Sequence, residues 1–358
     1  MDPKRVVTVF LESTAPGTAA GHHLTGTVRR LSTGSENLRV THMVRSSESG
    51  FLRRVLEVYR SFISVRRDAD VLVVRYHPLL WPLLASAWVA GLPYVLLVQG
   101  APSDVYTAGK ARRALAVILN RMIHSTIKNA AIVVAVNETL SRHLQDEYGR
   151  RADLVIRNGA PEPSGLAEPS VSVPEKFVLF AGAFAEWQGL PVLIESLSHQ
   201  NWPEDTHLVV AGSGALEDLV SEAAISGKLT FVGHVTPEEL ATLIRKSIAT
   251  LSPKLRTDAT RFGISPFKVM ESIAAGVPVI CTDLPGQREL VEEGDCGIVV
   301  TPGSIEELVD AVRTISNDPA LHQRLSRNCR EYRAQLSWEN DAGRLSSAVV
   351  KASSGSSE

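Results

Sequence analysis

Residues 263–283 read GISPFKVMESIAAGVPVICTD. A turn at Gly263 to Pro266 opens a helix, and after the break at Gly276-Val277-Pro278 the chain continues as the apolar strand VPVICT. Phe267, Val269, Met270, Ile273 and Ala274 leave that helix little room for a solvated face. Lys268 and Glu271 nevertheless share it at i, i+3. A helix running into a short buried strand is half of a parallel βα unit.

The same alternation extends outward in both directions. In the first half the strand-length runs are VVTVFL, LRVTHMV, VLVV, YVLLV, IVVAV and DLVI. In the second they are FVLFAG, HLVVAG, LTFVG, SIATLS, VPVICT and CGIVV, again with longer amphipathic segments between them. The pattern predicts an α/β protein of two doubly wound, Rossmann-like domains, one over residues 1–165 and one over 166–350. The stretch from Pro161 to Pro174 holds four prolines and no apolar periodicity, which marks it as the linker. The small polar tail over 351–358 is expected to be disordered.

Composition narrows the function classes. At 358 residues, 44% hydrophobic and 21% charged, the chain is too apolar for disorder. Cys281, Cys296 and Cys329 cannot all pair, and none has metal-ligand spacing, so neither a disulfide scaffold nor a zinc ribbon is expected. The apolar run at the N-terminus is shorter than a secretory signal, and the chain is expected to stay in the cytoplasm. Leu79 to Val98 carries no charge over a length that could span a bilayer. Pro82 and Gly91-Leu92-Pro93 break it into helix, turn and strand instead. Up to residue 165 there are 21 Lys and Arg against 13 Asp and Glu; the remainder holds 16 against 26. The basic surplus gathers around FLRRVLEVYRSFISVRR and KARRALAVILNRMIHSTIK, whose interleaved apolar residues suit an anionic membrane surface.

In open α/β sheets ligands bind beyond the carboxyl ends of the strands. The loop from Ser13 to His23, containing Gly17, Gly21 and His22, follows the first strand and could present N–H groups to an anion. Gly212 and Gly214 separate a buried strand from a helix, where backbone can approach phosphate. Gly233 and His234 end another strand, before the capping-box pattern Thr236-Pro237-Glu238-Glu239.

The order of these pieces resembles the retaining nucleotide-sugar glycosyltransferases of family 4, which have the GT-B fold. VLVVRYHPLL, GLPYVLLVQG, AAIVVAVNETLSRHL and LVIRNGAPEP are similar to its acceptor-domain series; FAGAFAEWQGLPVLIESL, LVVAGSGALEDL, FVGHVTPEEL, ISPFKVMESIAAGVPVICTD and GIVVTPGSIEELVDAV are similar to its donor-domain series. The resemblance implies two domains facing across a cleft and a retaining, hexosyltransferase-type enzyme of cell-envelope or exopolysaccharide assembly. It implies a nucleotide diphosphate sugar donor, a glycan or lipid-linked acceptor, no resident cofactor, no metal and no nucleic-acid partner. Glu271 matches the second glutamate of the E-x7-E element, which accepts hydrogen bonds from ribose hydroxyls. Gly233, His234 and Val235 match the nucleobase segment. Gly182, Gly212, Gly214, Ser265 and Pro266 fall where the donor diphosphate sits, and Gly17, Gly21, His22, Gln99 and Asp104 fall on the acceptor side.

The chain also departs from the family. Gly263 stands where the first glutamate of E-x7-E belongs, Ala183 and Gln188 replace the diphosphate-binding arginine and lysine, and Gln99 replaces a histidine near the transferred sugar. Lys268 is then the candidate for neutralising the phosphate charge, with Glu271 and Gln99 as the other catalytic candidates. A GT-B-fold nucleotide-sugar 2-epimerase, with acid–base carboxylates such as Glu12 and Asp104, and a non-catalytic sugar-nucleotide or glycan-binding homologue are the alternatives.

Overall fold

All of the strand-length runs form strands in the computed structural model, which describes residues 2–12, 18–43, 51–65, 67–102, 113–161, 165–257, 260–263 and 266–354. The chain divides into two compact units, Met1–Gly159 with Trp338–Glu358, and Ala160–Ser337.

The first unit contains β1 (Lys4–Val9), α1 (Ala19–Gly34), β2 (Leu38–His42), α2 (Phe51–Val65), β3 (Val71–Arg75), α3 (Trp81–Val89), β4 (Tyr94–Val98), α4 (Arg113–Asn129), β5 (Ile132–Ala135), α5 (Glu138–Tyr148) and β6 (Leu154–Val155). Its sheet is parallel in the order β2-β1-β3-β4-β5-β6. Strands covered on both faces need apolar residues on both, and every residue of Tyr94–Val98 is accordingly buried. The uncharged stretch from Leu79 to Val98 resolves into α3, a turn and β4, and among the described residues no helix is long and apolar enough to cross a membrane. Asn137 caps α5 by accepting from the Leu140 N–H, and Gly149, in the left-handed conformation, ends it.

The second unit contains β7 (Phe177–Ala181), α6 (Leu190–Ser196), β8 (His207–Ala211), α7 (Glu217–Ala224), β9 (Leu229–Gly233), α8 (Pro237–Lys246), β10 (Ala249–Ser252), α9 (Phe267–Ala275), β11 (Val279–Thr282), α10 (Arg288–Glu293), β12 (Gly297–Val300), α11 (Ile305–Asn317) and α12 (Pro319–Tyr332). Its sheet is also parallel, in the order β12-β11-β10-β7-β8-β9. The capping box at α8 forms as its pattern predicts: Thr236 Oγ1 accepts from the Glu239 N–H, and the Glu239 carboxylate accepts from the Thr236 N–H.

The boundary expected at residue 165 is corrected at both ends. The second unit starts at Ala160, and the last helix, α13 (Ala342–Ser353), belongs to the first unit rather than to a domain over 166–350. Leu345 and Val349 of α13 join the core formed by Val73, Val95 and Val134. Arg30 anchors the return: its Nε donates to the Trp338 and Asn340 carbonyls, and its guanidinium lies 4.9 Å from the Trp338 ring centroid. A β carbon on Gly26 or Gly159 would collide with that ring. Of the tail expected to be disordered, Lys351–Ser353 is helical and 355–358 lies outside the described residues.

Candidate functional site

In the second sheet the strand order reverses between β7 and β10, and at such a switch point the loops leaving the two strands diverge and open a crevice. The β7 loop begins at Gly182, whose φ of 149° is poorly accessible to other residues. A β carbon there would lie 2.9 Å from Lys268 Nζ. Lys268 comes from the first turn of α9, and its ammonium is fixed from two sides. It donates to Gln188 Oε1 at 2.9 Å and sits 4.3 Å from the Phe180 ring centroid. The β10 loop adds Lys254, buried, two residues past the strand end; Thr282 Oγ1 donates to its carbonyl. The two loops interlock, because Leu255 N–H donates to the Trp187 carbonyl and a side chain on Gly189 would strike the Pro253 carbonyl.

Electrostatics make this an anion-seeking place. Burial pushes Lys254 down to about 8. Burial, and then the charge of Lys254, lowers Lys268 well below the lysine range, with Glu271 opposing. Glu271, half-buried one turn further along α9, is raised to about 7 by burial against the opposing pull of Lys268. Lys268 and Glu271 are not in ion-pair contact, since the lysine turns to Gln188, and Glu271 makes no hydrogen bond to a described residue. Among the described residues neither lysine has an ion-pair partner, and the Glu271 carboxyl accepts no hydrogen bond. A diphosphate and a diol are the complementary groups.

The glycines expected to approach phosphate have another occupation. A β carbon on Gly212 would overlap the Gly182 carbonyl oxygen, and one on Gly214 would lie 2.8 Å from the Phe184 carbonyl oxygen. The space these glycines leave is filled by the β7 loop, which bridges to Gly214 through Phe184. Gly233 differs: its φ is 74°, and nothing lies within 4 Å of where its β carbon would be. It also accepts from the Gly212 N–H at 2.7 Å. His234 beside it is exposed and Val235 half-buried. Pro266 is buried as the N-cap residue of α9, and Ser265 lies outside the described residues.

The first sheet reverses between β1 and β3, and their ends carry Glu12 and Arg75, ion-paired at 2.8 Å. After β4, the Gln99 amide is fixed from both sides. Asn158 Nδ2 donates to its Oε1 at 2.7 Å, and its Nε2 lies 2.8 Å from His23 Nε2. Burial, then Arg75 and Arg30, holds the His23 pKa far below the histidine range, so this ring is neutral at pH 7. The expectation that the Ser13–His23 loop offers N–H groups to an anion is corrected for Gly21 and His22. Their N–H groups donate to Thr18, at Oγ1 and at the carbonyl, because Thr18 caps α1. The half-buried His22 ring has its pKa lowered by burial. Gly17 and Asp104 lie outside the described residues.

Lys254, Phe180, His23 and Asn158 were missed in the sequence. Lys254 had one usable signal, its place just past SIATLS; strand order, which makes that loop a neighbour of Gly182, had none. Among the described residues no three His, Cys, Asp or Glu side chains group as a metal site.

Residues 167–332 match the family model for glycosyl transferases group 1. The glycogen synthase of Mycobacterium tuberculosis is 24% identical over 289 residues, 76% of this chain and 67% of its own length. Across eight curated relatives the chain spans from 43% to 76% of their length. Among solved structures, sucrose-phosphate synthase from Thermosynechococcus elongatus superposes with a TM-score of 0.71 at 15% identity, covering 99% of this chain and 100% of that one. Anabaena HepE in complex with UDP gives 0.69 at 15% identity, over 97% and 99%. The chain therefore has the GT-B fold of two Rossmann-like units, and its second unit is similar, over residues 167–332, to the group 1 glycosyl transferases.

Proposed function

We propose that this protein moves a sugar from a nucleotide diphosphate sugar to an acceptor hydroxyl, with retention at the anomeric carbon, in the assembly of a cell-envelope or exopolysaccharide glycan. The observation that carries this reading is the convergence at the switch point of the second unit of Lys254, Lys268 and Glu271, the last making no hydrogen bond to a described residue. The group 1 match over the same unit supports it, as does a structural neighbour solved with UDP.

In this mechanism Lys268 and Lys254 face the donor diphosphate, and Glu271 accepts from the ribose hydroxyls. The bond from the anomeric carbon to the phosphate oxygen breaks as the acceptor oxygen bonds that carbon on the same face. The acceptor proton passes to the leaving phosphate. The lysines then act by stabilising charge that grows on the leaving group, which raises turnover more than ground-state affinity. Gln99, held by Asn158 and His23, is the acceptor-side polar group.

A thermal-shift panel of UDP-, GDP-, ADP- and TDP-sugars identifies the donor, and NMR of the product gives its anomeric configuration. Lys268→Ala is expected to cut kcat by more than it weakens donor binding. An isomerised sugar nucleotide as product would move the protein to the epimerases. Donor binding with no nucleotide released in the presence of any acceptor would make it a binding protein.

A further inference from the structure

Five large apolar side chains lie exposed between residues 56 and 89: Leu56, Ile63, Leu79, Trp88 and Val89. They belong to neighbouring helices. In a right-handed βαβ fold the connections β2 to β3, β3 to β4 and β4 to β5 all run the same way across the sheet, which puts α2, α3 and α4 side by side on one face. α1 and α13 cover the opposite face. Tyr59 Oη of α2 donates to the Leu79 carbonyl in the turn just before α3, and α3 packs on α4.

The outward face of α3 is the anomaly. Leu79, in the 3-10 turn Pro78–Leu80 that leads into it, and its own exposed positions Pro82, Ser86 and Val89 carry no charge, with Val89 79% exposed and Trp88 55%. On α2 the outward row alternates chemistry: Arg53, Leu56, Arg60, Ile63, then Arg67 just past the helix. On α4 the exposed row is Arg121, His124 and Lys128. An apolar centre is thus flanked on both sides by cations. Glu57 of α2 is engaged by Arg53 at 3.2 Å, and Asp68 just past that helix by Arg5 at 3.6 Å.

We propose that the face formed by α2, α3 and α4 docks on an anionic lipid bilayer, with Leu56, Ile63, Leu79, Trp88 and Val89 entering the headgroup and acyl boundary and Arg53, Arg60, Arg67, Arg121 and Lys128 meeting lipid phosphates. Charge complementarity selects this occupant. A protein partner or a second copy needs no cationic rim on both sides of an apolar strip, whereas apolar insertion and anionic attraction together are what hold an interfacial helix at a membrane. The surface is separate from the donor residues, so vesicle binding is scored without turnover and succeeds or fails independently of the transfer reaction.

The full chain is mixed with vesicles of phosphatidylcholine alone or with phosphatidylglycerol, and recovery by co-sedimentation is measured. Binding is expected to rise with phosphatidylglycerol and fall with added salt, because the attraction fades over about 8 Å at physiological ionic strength. Joint Arg60→Glu and Lys128→Glu substitution is expected to weaken binding at least about tenfold, from about fivefold per cation removed. Joint Ile63→Glu and Val89→Glu substitution is expected to weaken it comparably, and brominated lipids are expected to quench a fluorescence component that Trp88→Phe removes. All these positions are exposed, and an unchanged thermal melt certifies the fold of each variant. Equal recovery with neutral and anionic vesicles, or wild-type binding by both double variants, overturns the proposal. So does a lipid-free dimer, seen by analytical ultracentrifugation, that the Ile63 and Val89 variant splits while vesicles bind nothing, because the face is then self-associating.

Discussion

At the scale of single residues, the candidate donor site is held at a cost to stability. Glu271 has a folded-state pKa of about 7, above that of an unfolded carboxyl. The folded state therefore binds more protons across the interval between, and the stability this group confers at low pH is lost as pH rises through 7. We predict that Glu271→Gln melts higher than the parent at pH 8, by at most about 3 kcal/mol, with the advantage shrinking toward pH 5. The same variant should bind the donor nucleotide more weakly, since it deletes a charged acceptor worth about 1.5–3 kcal/mol. Lys254 is the mirror case. Its pKa is depressed to about 8, so its favourable contribution exists above the unfolded lysine pKa and is lost as pH falls through 8. Lys254→Met is expected to stabilise the protein at pH 7 while lowering affinity for nucleoside diphosphate; denaturant melts and calorimetric titration read the two effects. A variant less stable at pH 7 would mean that the lysine already has its counter-charge.

At the scale of elements, glycines at strand ends set how closely the β7 and β8 loops stack. Gly212 has φ 134°, and any side chain on it meets the Gly182 carbonyl, so Gly212→Ala combines backbone strain with a collision. The expected destabilisation is about 2–4 kcal/mol, visible as a fall in the urea midpoint. Because the displaced backbone is that of Gly182, against which Lys268 Nζ rests, donor affinity should fall as well. Gly233→Ala separates strain from crowding: its φ of 74° is unfavourable but the space is empty, so its cost should be nearer 1 kcal/mol. Equal losses in the two variants would show that crowding at Gly212 is relieved by loop movement.

At the scale of the whole molecule, the C-terminal segment completes the first unit. Arg30 donates to backbone carbonyls more than 300 positions away in sequence, and Leu345 and Val349 fill its core. A chain ending at Ser337 is expected to lose the cooperative melt of the first unit and keep that of the second, followed by circular dichroism with limited proteolysis. Trp338→Ala, which opens the space that Gly26 and Gly159 leave for the ring, should cost about 3–5 kcal/mol. If the truncated chain keeps both transitions, α13 is an accessory to that unit.

Strand positions were legible from the sequence because a parallel strand buried on both faces writes its environment locally, as an unbroken run such as VLVV or YVLLV. Helix α9, with Lys268 and Glu271 on it, was legible for the same reason: periodicity and its breakers are short-range. The partner of Lys268 was not, since Gln188 lies 80 residues away and reaches it only because β10 inserts beside β7. Lys254 carries no local signal beyond its place after a strand; strand order is what puts its loop at the switch point. The sequence cut at residue 165 failed for a related reason. Prolines mark where the chain turns loose, but which unit a later helix joins depends on which apolar surface is still uncovered, and only tertiary packing decides that for Trp338 and α13.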